Sequence, residues 1–199
     1  MKNKFLLLLG LTGIFLTSAY AKDAVELDRQ QCVLCHGPGG NTTSNQFPKL
    51  AGQPHEYFIA QMKAFREKSR ADENAQRFMW GIASRLSDKE IVDLAAYYES
   101  QVSEHHKKVN DQNKYDLGKS IFTNGKLEKG VPACAACHGD KGQGLASVPE
   151  IGSQNETYIK RQLKVFFGNE RPSAVAMHEI VKNLTSEDIE AIAEYLQAQ

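Results

Sequence analysis

Cys32–Val33–Leu34–Cys35–His36 and Cys134–Ala135–Ala136–Cys137–His138 decide the reading of this 199-residue chain, and they hold all four of its cysteines. Cys-x-x-Cys-His is the attachment pattern of c-type haem. Two thiols add across the porphyrin vinyl groups, and the histidine that follows is held under the iron. The pattern assigns two covalently bound haem c groups, one on Cys32 and Cys35, the other on Cys134 and Cys137. His36 and His138 become the proximal iron ligands. A redox dithiol also uses Cys-x-x-Cys, and two such pairs can offer zinc four thiolates. Zinc pairs commonly lie about 15–20 residues apart. These lie much further apart, and neither alternative accounts for a histidine after both second cysteines.

The chain around these motifs is duplicated. Pro48-Lys49-Leu50 matches Pro149-Glu150-Ile151, Gln53 matches Gln154, and Tyr57 matches Tyr158. Gln61-Met62-Lys63 matches Gln162-Leu163-Lys164, while Phe65 and Arg70 match Phe166 and Arg171, all at an offset of 101 residues. After Arg70 the first copy has three extra residues and the offset becomes 98. In that register Met79 matches Met177, Leu86 matches Leu184, and Ser87 matches Thr185. The period exceeds the roughly 20–50 residues of solenoid units; it is that of a small domain. The expected organisation is a first domain over 22–103, a linker over 104–112 and a second domain over 113–199. The linker lies in a polar stretch that carries His105-His106-Lys107-Lys108.

Both copies read as all-α. Val25 to Cys32 and Tyr115 to Thr123 are short helical candidates leading to the haem motifs. Tyr57 to Phe65 puts Phe58, Met62 and Phe65 on one face, and Ile159, Leu163 and Phe166 repeat that face. Ser87 with Glu90, and Thr185 with Asp188, are capping-box starts. Ile91, Leu94, Ala95 and Tyr98 then form an apolar stripe, repeated by Ile189, Ile192, Ala193 and Leu196. Domains of under about 90 residues have thin cores, so folding is expected to depend on haem, as small metal domains depend on their metal.

The N-terminus reads as a secretory signal. Lys2 and Lys4 precede an apolar run from Phe5 to Leu16, and Ala19-Tyr20-Ala21 is an A-x-A cleavage site. That run is shorter than the roughly 20 residues of a spanning helix. Residues 1–21 are therefore expected to be a cleaved signal peptide, and the periplasm the destination. Of the 24 basic and 24 acidic residues, residues 1–21 hold two lysines and no acids, so 22 and 24 remain. That balance gives no support for nucleic-acid binding.

The occupant of the sixth iron position decides between electron transfer and chemistry at an open iron. Met62 falls in a helical apolar stripe and matches Leu163, so it reads as core. Met79 and Met177 match each other ahead of the last helix of each copy, and they are the candidate distal ligands; the alternative is two more core methionines. His178 follows Met177, but Trp80 holds the same place in the first copy, so a histidine ligand would not be shared. His/Met ligation raises the potential and closes the coordination sphere.

Together the paired motifs, the Pro-x-Leu/Ile segments, the Tyr-x-x-x-Gln-[Met/Leu] helices with their later arginines, the methionines and the closing helices resemble the dihaem cytochrome c4 family. The likeness covers nearly all of the chain beyond residue 21. It implies two class I cytochrome c domains with their haem edges close together. It also implies an electron carrier, not an enzyme. The donor would be a quinol-oxidising complex or a dehydrogenase and the acceptor a terminal oxidase, with loose membrane association in some members. It assigns the carbonyls of Pro48 and Pro149 to the Nδ1–H groups of His36 and His138. Arg70 and Arg171 become propionate or interface residues, and Tyr57 and Tyr158 lie near the propionates. For such arginines the plain alternative is solvation in a loop. Rival readings are a dihaem peroxidase-like enzyme and a fixed cytochrome subunit of a dehydrogenase or oxidase complex. Two segments depart from the pattern: the longer loop from Ala71 to Phe78, and Lys126 to Val131, expected to be a charged, flexible insertion.

Overall fold

The computed structural model describes residues 23–104 and 108–199; the expected signal peptide and the linker histidines His105 and His106 lie outside the described residues. Those residues are helical, and their only β-type pairings are the isolated bridges Lys126–Val131 and Leu145–Val148. None of their helices is long and apolar enough to cross a membrane.

Each domain closes with a helix that starts where the caps dictate. Ser87 accepts the Glu90 N–H, and the Glu90 carboxylate accepts the Ser87 N–H at 2.8 Å, opening Asp88–Glu99. Thr185 and Asp188 do the same for Ser186–Gln197, with a 2.9 Å return bond. Such reciprocal bonds satisfy donors that a helix start otherwise leaves unpaired. The two apolar stripes face inward: Ile91, Leu94, Ala95 and Tyr98 are buried in one core, Ile189, Ile192, Ala193 and Leu196 in the other. Each such large side chain contributes about 1.5–3 kcal/mol by leaving water. The middle helices His55–Arg66 and Glu156–Val165 pack against these cores through Phe58, Met62 and Phe65, and through Ile159, Leu163 and the following Phe166.

In the second domain Gln112–Asn124 crosses the closing helix at Gly118, where a Cβ would lie 2.0 Å from the Ala191 carbonyl oxygen. Only a glycine lets the two backbones come that close. The corresponding region of the first domain is helical from residue 23 to 36, but it widens into a π turn over Asp28–Cys32. The plain helix expected up to Cys32 is corrected there.

Two further expectations are corrected. Lys126 to Val131 is pinned, not flexible. Lys126 and Val131 exchange backbone hydrogen bonds of 2.8 and 3.2 Å around the short turn Leu127–Lys129, and Val131 is wholly buried. The Lys126 ammonium lies 2.9 Å from the buried Asp188 carboxylate. The segment after Arg70 is also more ordered than a loop, because it forms a π turn over Ala75–Met79. The buried Asp72 carboxylate accepts from Arg70 Nε at 3.0 Å and from the Ala75 N–H at 3.4 Å, which anchors the start of that turn.

Candidate haem sites and the seam between the domains

Cys32 ends the first π turn, and Cys35 and His36 lie in the short helix Val33–His36; Cys137 and His138 lie in Ala135–His138. Glycines stop both helices at positive φ, 74° for Gly37 and 79° for Gly139. A Cβ on Gly37 would meet the Asn41 carbonyl oxygen at 2.6 Å, so the chain folds back only with glycine there. The fold-back brings Pro48 under His36. Nδ1 of His36 lies 2.8 Å from the Pro48 carbonyl, and Nδ1 of His138 lies 2.9 Å from the Pro149 carbonyl. A carbonyl only accepts, so each Nδ1 carries the proton and Nε2 keeps the lone pair that a metal needs. Burial lowers both histidine pKa values despite the carbonyl contacts, favouring the neutral, ligating form.

Burial also raises the Cys32 thiol pKa and pushes that of Cys134 up to about 11. No disulfide joins any of the four cysteines. Among the described residues no three His, Cys, Asp or Glu side chains gather to hold a bare metal ion, so the geometry gives the zinc alternative nothing to rest on. Two thiols, one oriented imidazole and an apolar wall in each domain fit a covalently attached porphyrin.

Met79 is the last residue of its π turn and Met177 lies within Val175–Val181; both are half-buried against their domain's core, whereas Met62 is inside it. The residue after each methionine makes the same contact. The Trp80 indole N–H donates to the Arg70 carbonyl at 2.9 Å, and His178 Nε2 lies 2.9 Å from the Arg171 carbonyl. His178 Nδ1 lies 2.6 Å from the Phe166 carbonyl. Both nitrogens of His178 thus face backbone carbonyl oxygens, to which only a nitrogen bearing a proton donates. Trp and His look unrelated in the repeat, yet each sets a ring nitrogen against the backbone carbonyl of its domain's arginine.

Arg70 and Arg171 lie at the contact between domains, 7% and 5% exposed. Arg70 donates to Gln61 of its own domain at 2.8 Å, and across the seam to Tyr158 at 3.3 Å and Gln162 at 3.2 Å. Arg171 donates to Gln162 at 2.6 Å, and across to Tyr57 at 3.1 Å and Gln61 at 3.0 Å. Each guanidinium also covers its own phenylalanine, Phe65 at 4.6 Å and Phe166 at 4.8 Å. The arrangement has the two-fold logic of the duplication, and the seam continues through the backbone. Gln154 bonds both the N–H and the carbonyl of Lys49 at 2.9 and 3.0 Å, and Gln53 donates to the Glu150 carbonyl at 2.7 Å. Asn155 donates to the carbonyls of Ser44 and Phe47, both at 2.8 Å.

Burial alone would raise the Tyr57 pKa; the Arg171 and Arg70 charges outweigh it and hold the phenol below its ordinary value. Gln162 Nε2 is buried and has no partner among the described residues. Gln61, Gln162 and Asp72 were not among the expected site residues. For the glutamines the signal was present: they recur at the same offset as the tyrosines and arginines.

Residues 21–101 match the family model described as cytochrome c, and residues 115–196 match that described as cytochrome c oxidase, cbb3-type, subunit III. The chain is 36% identical to cytochrome c4 of Pseudomonas aeruginosa over 96% of its own length and 94% of the relative's. Its fold is similar to the solved cytochrome c4 of Acidithiobacillus ferrooxidans, with a TM-score of 0.78, 36% identity, and 84% of this chain and 98% of that one covered. It is similar too to reduced recombinant cytochrome c4 from Pseudomonas stutzeri, with a TM-score of 0.77, 31% identity, and 91% and 97% covered.

Proposed function

The chain belongs to the cytochrome c4 family of electron-transfer proteins, with two tandem cytochrome c domains and two covalently bound haem c groups, and we propose that it is a periplasmic carrier delivering electrons towards a terminal oxidase. When bound, each haem iron supplies one reversible electron between its ferric and ferrous states. His36 and His138 would hold the irons, and Pro48 and Pro149 keep each imidazole oriented and electron-donating. Met79 and Met177 would supply the second protein ligand of each iron, on segments held by the ring contacts of Trp80 and His178. Arg70 and Arg171 hold the seam. The guanidinium N–H groups of Arg70 and Arg171 not used in the seam, together with Gln162 Nε2, would be donors for propionates.

The observation that carries this reading is the doubled imidazole–carbonyl contact, at 2.8 and 2.9 Å, in two domains joined by a matched arginine network. Two similarly prepared sites joined by a hydrogen-bonded seam suit storage and relay of two electrons. The partners are redox proteins that dock briefly, through small surfaces as in other redox encounters. The donor is a quinol-oxidising complex or a dehydrogenase.

The test begins with the exported, haem-loaded protein, whose first residue is expected to be Lys22. Fully reduced protein is mixed with oxidase-containing membranes and oxygen. Both haems are expected to reoxidise together, in an oxidase-dependent manner. A haem that stays reduced, or turnover of peroxide without the membranes, would overturn the proposal.

A further inference from the structure

We propose that Asp28 sets the reduction potential of the first haem, holding it below the value that its ligands alone would give, by keeping a negative charge buried beside the haem segment. The inference rests on the two-haem reading above.

Asp28 is 2% exposed and lies four residues ahead of Cys32, in the π turn that ends on that cysteine. Its carboxylate accepts from the Tyr98 hydroxyl at 2.6 Å, from the Tyr97 hydroxyl at 3.4 Å, and from the Gly39 N–H at 3.4 Å. Gly39 comes just after His36, so the carboxylate is clamped between the closing helix and both ends of the haem segment. Burial, with Asp28 contributing, raises the Tyr98 pKa, which keeps that hydroxyl a donor. No Lys or Arg pairs with Asp28 among the described residues. Three neutral donors make a buried anion tolerable without cancelling its field.

The second domain has no equivalent. There the helix leading to the haem segment is filled by Phe122, wholly buried and 5.2 Å from the Tyr195 ring. The buried Asp188 is neutralised by Lys126. Glu194 is buried as well, but it faces the linker, where it accepts from Asn110 and Asp111. Lys49 and Glu150 occupy matched places in the seam and bear on both domains. The domains carry equal formal charge over 22–103 and 113–199, so net charge does not distinguish the two haems. Asp28 does. Ferric haem carries one more positive charge than ferrous haem, and a nearby fixed anion in a poorly polarisable interior favours it.

The test is a spectroelectrochemical titration of haem-loaded wild type, Asp28→Asn and Asp28→Glu, with each midpoint assigned through the paramagnetically shifted haem methyl signals. In Asp28→Asn the ferrous-to-ferric ratio of the first haem, read at the wild-type midpoint, is expected to rise about tenfold, or ~59 mV for a one-electron couple. The second haem should move far less, and Asp28→Glu should stay near wild type. Equal shifts at both haems, or none at the first, would overturn the proposal. A general loss of packing would lower the melting temperature without shifting one haem selectively. If Asp28→Asn loads haem poorly, Asp28→Leu with Tyr97→Phe and Tyr98→Phe removes acceptor and donors together and answers the same question. A wild type with a single redox step or an open iron would instead count against the two-haem carrier reading.

Discussion

The guanidinium of Arg171 donates across the domain seam to the phenol oxygen of Tyr57 at 3.1 Å. Arg70 repeats the contact in the opposite sense with Tyr158 at 3.3 Å. The acceptors on the far side are neutral side chains, so the two like-charged guanidinium groups are held by geometry and hydrogen bonding, not by ion pairs across the seam. The one carboxylate involved, Asp72, is on Arg70's own side.

Removing one arginine should loosen the whole seam. Arg171→Ala takes the donor from the buried Tyr57 oxygen and one of the two guanidinium donors from each of Gln61 and Gln162, which keep Arg70, a loss of about 1–3 kcal/mol. Calorimetry of the haem-loaded protein should show one cooperative transition in wild type and two separated transitions in Arg171→Ala. A single transition at the wild-type temperature would remove the seam's structural role.

Glu150 makes stability depend on pH. Burial pushes its carboxyl pKa up to about 7 from 4.5, against the Ser103 hydrogen bond and the Lys49 charge. The folded state therefore binds more protons than the unfolded state between these values, and stability falls as pH rises through that window. After discounting for its partial exposure, the loss is about 1–2 kcal/mol. Melting temperatures taken from pH 5 to 8 should decline in wild type and flatten in Glu150→Gln. Equal slopes would contradict this.

The Trp80 strap should matter for one haem only. Trp80→Phe keeps the ring but loses the bond to the Arg70 carbonyl, at about 1 kcal/mol. The Met79 segment then opens more often. Carbon monoxide should bind the ferrous first haem several-fold faster than in wild type, with the second haem unchanged. Equal rates at both haems would mean that the strap does not govern the methionine.

Lys126 should stabilise the second domain only while Asp188 is ionised. Burial raises the Asp188 pKa, but Lys126 and the Thr185 contacts outweigh it and hold it below the ordinary carboxylate value. That stabilisation is present above the unfolded pKa and lost as pH falls through the folded one. Lys126→Met should lower the melting temperature at pH 7, and the difference should shrink on acidification. A difference independent of pH would point to packing instead.

Much of this was legible in the chain because it is local. The haem segments are five-residue patterns, Ser87–Glu90 and Thr185–Asp188 are three-residue relationships, and the buried stripes follow helical spacing. The two π turns were not legible, because a change in backbone hydrogen-bond register leaves no mark in apolar periodicity. Lys126 to Val131 looked loose because its stabilising partner, Asp188, lies 62 residues away. The seam lies between these cases. Tyr57, Gln61 and Arg70 recur as Tyr158, Gln162 and Arg171, but which arginine reaches which tyrosine depends on how the two domains meet. Asp28 had no repeat partner to draw attention to it, and its burial comes from tyrosines about 70 residues on.

The central claim is that both irons are closed by a histidine and a methionine. The most direct measurement is the visible spectrum of the haem-loaded protein through a full redox titration, with and without carbon monoxide, in wild type, Met79→Ala and Met177→Ala. The account predicts two one-electron steps at high potential and low-spin spectra throughout in wild type, with little response to carbon monoxide. Each alanine variant should open one haem and leave the other closed. A low-potential step in wild type, or a high-spin component that binds carbon monoxide readily, would contradict it and leave at least one iron open or differently ligated.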